Sequence, residues 1–136
     1  MATNPITRIE TLQVDLDDQP GALAKVFGAL REMGVNVHSS WGFVTHPGKG
    51  RVILYPSDSK KAREALSKLG STVDTVPACL VKSEDKLGAY AELLGKITKA
   101  GVNLHATDAM AINGTMVAVF FARDQEWPKL CKALGC

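Results

Sequence analysis

Two glycines, two asparagines and two histidines stand at matched places in this chain, and these residue types can hold the charged groups of a small molecule. Gly21 and Gly88 each fall where an alternating apolar segment gives way to a helical pattern. A glycine at such a junction lets the main chain come close to a ligand. The helix N-terminus behind it presents unpaired N–H groups and a partial positive charge, a seat for a carboxylate. Asn36 and Asn103 carry both donor and acceptor, so each can answer an ammonium as well as a carboxylate. His38 and His105 follow two residues later, and facing imidazoles can bind a transition metal. No third ligand stands at a sensible spacing, so metal binding ranks behind a role in a polar interface or ligand pocket. A plainer reading stands beside these: Asp18 and Asp85 cap helices, and the asparagines only shape a turn.

These residues belong to one pattern written twice. Asp18-Gln-Pro-Gly21 leads through a helical stretch to Gly34-Val-Asn-Val-His38, and Asp85-Lys-Leu-Gly88 leads likewise to Gly101-Val-Asn-Leu-His105, 67 positions on. Asp18, Gly21, Ala22, Ala24, Gly28, Gly34, Val35, Asn36 and His38 recur unchanged at that offset without a gap. Two repeats are too few for a solenoid, so the pattern predicts a pair of small domains with a cleft between them.

Each copy parses as strand, helix, strand, strand, helix. Arg8 to Asp17 alternates Leu12, Val14 and Leu16, the period of a half-buried strand. Pro20 is expected to open a helix whose inward face is Leu23, Val26, Phe27, Leu30 and Met33, with Gly34 ending it. Val35 to Val44 and Arg51 to Tyr55 read as strands about a turn over 45–50, and Asp58 or Ser59 caps a second helix facing inward through Ala62, Ala65, Leu66 and Leu69. Alternation puts Asn36, His38 and Ser40 on one strand face, matched by Asn103, His105 and Thr107. Trp41 and Phe43 read as core or interface packing.

In the second copy, strands near Pro77 to Ser83, Asn103 to Ile112 and Thr115 to Ala122 surround a helix facing inward through Tyr90, Leu93, Leu94 and Ile97. Asn113-Gly114 is a strong hairpin signal, and Asp124 is expected to cap a last helix bearing Trp127, Leu130, Cys131 and Leu134. A closing strand is short or missing from copy two, so 72–83 must end one copy and begin the next. Phe120, Phe121 and Trp127 beside that gap are expected to seek a partner, most simply a two-fold dimer.

Composition excludes several classes. The chain has 136 residues, with 46% hydrophobic and 22% charged residues, as in soluble globular proteins. A formal net charge of +2 is too small for a nucleic-acid surface. No apolar run approaches the roughly 20 residues needed to cross a bilayer. Met-Ala-Thr-Asn-Pro lacks the regions of a secretory signal, and Cys79, Cys131 and Cys136, odd in number and far apart in sequence, read as reduced cytoplasmic thiols. No Gly-x-Ser-x-Gly, P-loop, HExxH or dinucleotide-binding fingerprint appears, so no catalytic residue is assigned. The acidic first turn (Asp15, Asp17, Asp18) opposes an acylphosphatase phosphate loop, and Lys49 to Tyr55 lacks the central stacking aromatics of an RNA-recognition module.

The Asp-x-Pro-Gly turn, an early Leu-Ala and a following Gly-Val-Asn-Val together resemble the opening of an ACT domain, and the period resembles a stand-alone tandem ACT protein. The resemblance implies an α+β fold of two ferredoxin-like βαββαβ modules, residues 1–71 and 72–136, with antiparallel sheets, helices on one face and strands shared between copies. It implies a non-catalytic regulatory protein binding a small molecule, an amino acid by preference, without cofactor or metal. The ligand would be held among Asp18, Gln19, Pro20, Gly21, Ala22, Asn36, Val37 and His38, with Asp85, Gly88, Ala89, Asn103, Leu104 and His105 as the second set. A homodimer and a regulated partner enzyme are the implied partners. Alternatives are an adaptor whose main partner is an enzyme, or a metal-responsive sensor. Lys86-Leu87 replaces Gln-Pro in the second turn, which favours the first copy for binding.

Overall fold

A computed structural model describes residues 6–136; the N-terminal five, which carry the expectation of no secretory signal, lie outside the described residues. The chain is α+β and divides into two compact units, the first Glu10–Val76 and the second Pro77–Cys136 together with the stretch up to Ile9. No helix among the described residues is long and apolar enough to cross a membrane.

The first unit holds β1 (Ile6–Asp17) from Glu10 onward, α1 (Ala22–Glu32), β2 (Val37–His46), β3 (Lys49–Pro56), α2 (Ser59–Ser67) and the opening residues of β4 (Val73–Glu84). Its strand order is β2-β3-β1-β4, the ferredoxin-like order. β3 pairs antiparallel with both neighbours, setting Val14 against Val52, Leu12 against Leu54, and Trp41 against Ile53. The fourth strand is fixed by the hydroxyl of fully buried Thr11, which donates to the Val76 carbonyl at 2.7 Å, and by the Asp15 N–H, which reaches the Thr72 carbonyl. Alternate residues Leu12, Val14, Val52 and Leu54 meet Val26 and Leu30 of α1 and Ala62, Ala65 and Leu66 of α2, so both helices cover one face.

The sequence boundaries shift for local reasons. Pro20 does not open α1; it lies in the preceding turn, and Gly21 at φ 88° intervenes. Proline cannot take a positive φ, so the left-handed residue needed between strand and helix is the glycine after it. Gly34 (φ 73°) ends the helix as expected, and the Val35 N–H closes on the Leu30 carbonyl at 2.9 Å. Asp58 caps α2 through the Lys61 N–H at 3.0 Å. Leu69 lies beyond the end of α2 and is exposed, so the helical period does not carry it inward.

The second unit holds β4 from Pro77, α3 (Ala89–Lys99), β5 (Leu104–Ile112), β6 (Thr115–Ala122), α4 (Trp127–Leu134) and the residues of β1 up to Ile9, in strand order β1-β4-β6-β5. Asn113 and Gly114 take φ 51° and 81°, the paired positive values that a two-residue hairpin turn requires. Cys79, Val81, Ile97, Met116, Phe120, Leu130 and Leu134 form the core, and Ile6 packs on it. Phe120 and Phe121 are both buried, so neither is free to seek a partner as the sequence suggested. Asp124 does not cap α4: the helix starts at Trp127, whose N–H bonds to the Arg123 carbonyl at 2.9 Å, and the cap position is Glu126. The Arg8 guanidinium lies 5.4 Å over the Trp127 ring.

A cut between residues 70 and 71 would strip the first unit of Val73–Val76 and the second of Ile6–Ile9. Neither fragment 1–70 nor 71–136 should melt cooperatively by circular dichroism, whereas the whole chain should. Thr11→Val, which leaves the Val76 carbonyl without its donor, should cost about 1 kcal/mol in urea unfolding.

Candidate functional site

The turn from β1 to α1 is held by its own main chain. The Asp18 N–H donates to the Gly48 carbonyl at 3.0 Å, Gln19 N–H to Asp17 at 3.0 Å, Ala22 N–H to Gln19 at 3.3 Å, and Lys25 N–H to Gly21 at 3.0 Å. The N–H groups of Leu23 and Ala24 find no acceptor among the described residues, as expected for a first helical turn. They border a cavity of about 330 Å³ lined by Asp17, Asp18, Gln19, Gly21, Ala22, Leu23 and Ala24 on one side and by Gly42, Phe43, Val44, Gly50 and Arg51 on the other. Of the predicted turn residues, Pro20 alone does not line it.

Two glycines within strands keep this hollow open. A Cβ on Gly50 would lie 3.1 Å from the Phe43 carbonyl oxygen, and one on Gly42 would lie 3.7 Å from a Leu23 methyl. Leu23, Phe43 and Val44 are exposed at the rim. The acidic turn is largely neutralised: Lys49 Nζ sits 2.6 Å from Asp17, and Arg51 Nε sits 2.9 Å from Asp15. The hydrogen bond from Lys49, then its charge, holds the Asp17 carboxyl below the usual carboxylate range. These exposed pairs orient side chains more than they stabilise the fold. Asp18 makes no side-chain hydrogen bond or ion pair among the described residues and caps nothing. Asp18 is exposed and belongs to the lining of the cavity.

Asn36, Val37 and His38 are placed elsewhere. They line a second hollow, about 630 Å³, with Phe27, Arg31, Gly34 and Ser39 at the C-terminal end of α1. The first hollow takes Ala22, Leu23 and Ala24 from α1 and the second takes Phe27, Leu30 and Arg31, so they lie toward opposite ends of the helix. Within this unit the structure does not bring Asn36 and the Asp18–Ala22 turn onto one ligand. Asn36 precedes β2, its N–H donating to Ser57 Oγ at 3.0 Å and its carbonyl accepting from the Ser57 N–H at 2.7 Å, while the side chain is exposed. His38 is the extra residue where two steps of β2 face one of β3, and its ring lies 5.0 Å from that of Tyr55. His105 occupies the same kind of register shift in β5. The recurrence of histidine thus marks a repeated irregularity of the strand, which also breaks the simple alternation predicted there. Among the described residues, no group of three or more His, Cys, Asp or Glu is placed to hold a metal ion.

The second copy keeps the scaffold and fills the hollow. Gly88 takes φ 80°, Asp85 N–H donates to the Gly114 carbonyl at 2.9 Å, and Ala89 N–H to Lys86 at 3.1 Å. Gly50 faces Leu16 in the first unit; at the matching position Met116 faces Ser83 and is buried. Gly42 is matched by Ala109. Leu23 is matched by Tyr90, whose hydroxyl bonds with Thr107 at 2.8 Å and whose ring stacks on Phe120 at 6.1 Å. The hollow described beside this turn is about 220 Å³, bounded by Glu84, Lys86, Ala89, Glu92 and Lys96 and not by Asp85 or Gly88. Asn103 and His105 are exposed and Leu104 is half-buried opposite Ala122.

Gly42, Gly50, Leu23, Phe43, Val44 and Arg51 read in the sequence as strand, turn or packing residues and not as lining of a site. The available signal was the two glycines inside strand patterns, which mark close approach or empty space.

Comparison with solved structures identifies the architecture. A Bacteroides thetaiotaomicron protein superposes with a TM-score of 0.85 at 20% identity, over 97% of this chain and 90% of that one. The ligand-free regulatory subunit of aspartate kinase from Thermus thermophilus gives 0.66 at 20% identity, over 99% and 97%. The corresponding subunit from Thermus flavus gives 0.62 at 19% identity, over 99% and 97%. No curated protein matches the sequence. These likenesses agree with the ferredoxin-like α+β fold built above. Residues 11–73, which contain the whole of the open cavity, match the ACT domain family.

Proposed function

We propose that this chain is a non-catalytic regulatory protein of the cytoplasm, made of two ACT modules (residues 1–71 and 72–136), that binds an amino-acid-like metabolite in its first module. The observation carrying this reading is the open cavity at the start of α1, with the free N–H groups of Leu23 and Ala24 on its border and Gly42 and Gly50 giving it depth. The N–H groups suit a carboxylate, the Asp18 carboxylate suits an ammonium, and Leu23, Phe43 and Val44 suit an apolar side chain. The matched place in the second module is occupied by Met116 and Tyr90, which supports binding by the first. The likeness to regulatory subunits of aspartate kinase supports a regulatory role.

The proposed mechanism is a ligand-sensitive interface between two chains. β2 ends the strand order of its unit, and Phe43 and Val44 on it are 48% and 59% exposed, an edge suited to pairing with a second copy. Asn36 and Val37, too far along α1 to reach their own turn, are proposed to meet the ligand of the partner chain. The adaptor reading draws on β5, whose Met110 and Ile112 are 69% and 67% exposed and offer an apolar strand to an enzyme partner.

Thermal-shift screening against the amino acids tests the main reading. A ligand at roughly 100 times its dissociation constant should stabilise the fold by about 2.7 kcal/mol. Gly42→Val, which fills the cavity beside Leu23, should abolish the response while leaving the unliganded melting temperature within a few degrees. A wild type unresponsive to all amino acids that co-purifies with one enzyme would favour the adaptor.

Asn36→Ala separates the two-chain site from a site confined to the turn. It should weaken ligand binding at least tenfold, about 1.4 kcal/mol, and only at protein concentrations where sedimentation shows a dimer. Unchanged affinity would place the site in the turn alone.

A further inference from the structure

The three cysteines, Cys79 far in sequence from Cys131 and Cys136, all belong to the second unit. Cys79 on β4 is fully buried in the core, and Cys136 packs against that core. Cys131 lies in α4, and the helix ends in a left-handed Gly135 (φ 88°). The Gly135 N–H closes on the Cys131 carbonyl at 2.7 Å and the Cys136 N–H on the same oxygen at 3.0 Å. This termination is the one that sets the side chain after the glycine against the side chain at the start of the last turn, which here are Cys136 and Cys131. Cys136 interacts electrostatically with both other thiols, with burial the larger influence on each.

We infer that Cys131 and Cys136 form a modification site for low-molecular-weight disulfides, closing into a bond that clips the last turn of α4. Both are partly exposed, whereas Cys79 is sealed in the core and stays reduced. The Cys136 thiolate attacks a sulfur of the small disulfide, whose S–S bond breaks and releases one small thiolate. Cys131, as thiolate, then attacks the Cys136 sulfur of the mixed disulfide and releases the second. Two protons leave the protein thiols and go to the two released thiolates, so the protein pair is oxidised by two electrons and the small disulfide is reduced. Main-chain clamping of the two residues before reaction lowers the ordering cost of closure. Burial pushes both thiols up to about 11, which keeps them protonated and makes the exchange slow at neutral pH.

The test is treatment of the folded full-length chain with oxidised glutathione, followed by intact mass and peptide mapping. The expected product is lighter by about 2 Da, with 131 linked to 136 and Cys79 alkylated only after unfolding. Cys131→Ser, at a partly exposed position, should stop at a glutathione adduct on Cys136. A bridge that includes Cys79, an internal bridge in the Cys131→Ser chain, or a folded wild type that remains fully reduced after prolonged exposure would each overturn the inference. None of these outcomes depends on an amino-acid ligand in the first unit.

Discussion

The first residue after each long strand is tied by its N–H to the tip of a hairpin, Asp18 to Gly48 at 3.0 Å and Asp85 to Gly114 at 2.9 Å. That one bond, made twice, sets the height at which the chain leaves the sheet. The left-handed glycine that follows then turns it into a helix aimed back across the strands. The N-terminus of α1 comes to stand over β2 and β3, and the cavity is the space left between them. Without the anchor the helix start would be free to swing, and its unpaired N–H groups would face water instead of a walled hollow.

The two units share one order of elements and differ in side chain at three matched places around the hollow. Where the first unit has Leu23, Gly42 and Gly50, the second has Tyr90, Ala109 and Met116. Burying Met116 and stacking Tyr90 on Phe120 convert exposed concave surface into core. Close packing of that kind removes more apolar area from water than an open hollow does.

Much of the fold could be read from the chain before any coordinates, because periodicity and turn chemistry act locally. Leu12 and Val14 alternate inward, Asp58 caps α2, and Asn113-Gly114 turns the last hairpin, each as its residue types dictate. The failures share one cause, a local signal overruled by its neighbours. Pro20 had to yield the helix start to Gly21, and Asp124 lost the cap because the main chain at Arg123 already accepts the Trp127 N–H. The turn half of the candidate site was legible in Asp18, Gly21 and Ala22, since a helix start announces itself. Its far wall was not, because Phe43 and Arg51 reach it only through strand register. Asn36 stands in the repeated motif close to Gly21 in sequence, yet a helix lies between them. Sequence proximity carried no information about which end of that helix it would occupy.

The division of β1 bears on the order in which the protein can assemble. The first unit is one unbroken stretch, complete as soon as Val76 has left the ribosome. The second draws on Ile6–Ile9, made before the first unit, and on Pro77–Cys136, made after it. Nascent chains form local structure first and close long loops late. While the first unit is being made, then, Ile6 lacks the core it will pack on and Arg8 lacks the Trp127 ring. The growing polypeptide carries a short β segment that must wait for the residues from Pro77 onward, and during that wait it is open to capture by a neighbouring nascent chain.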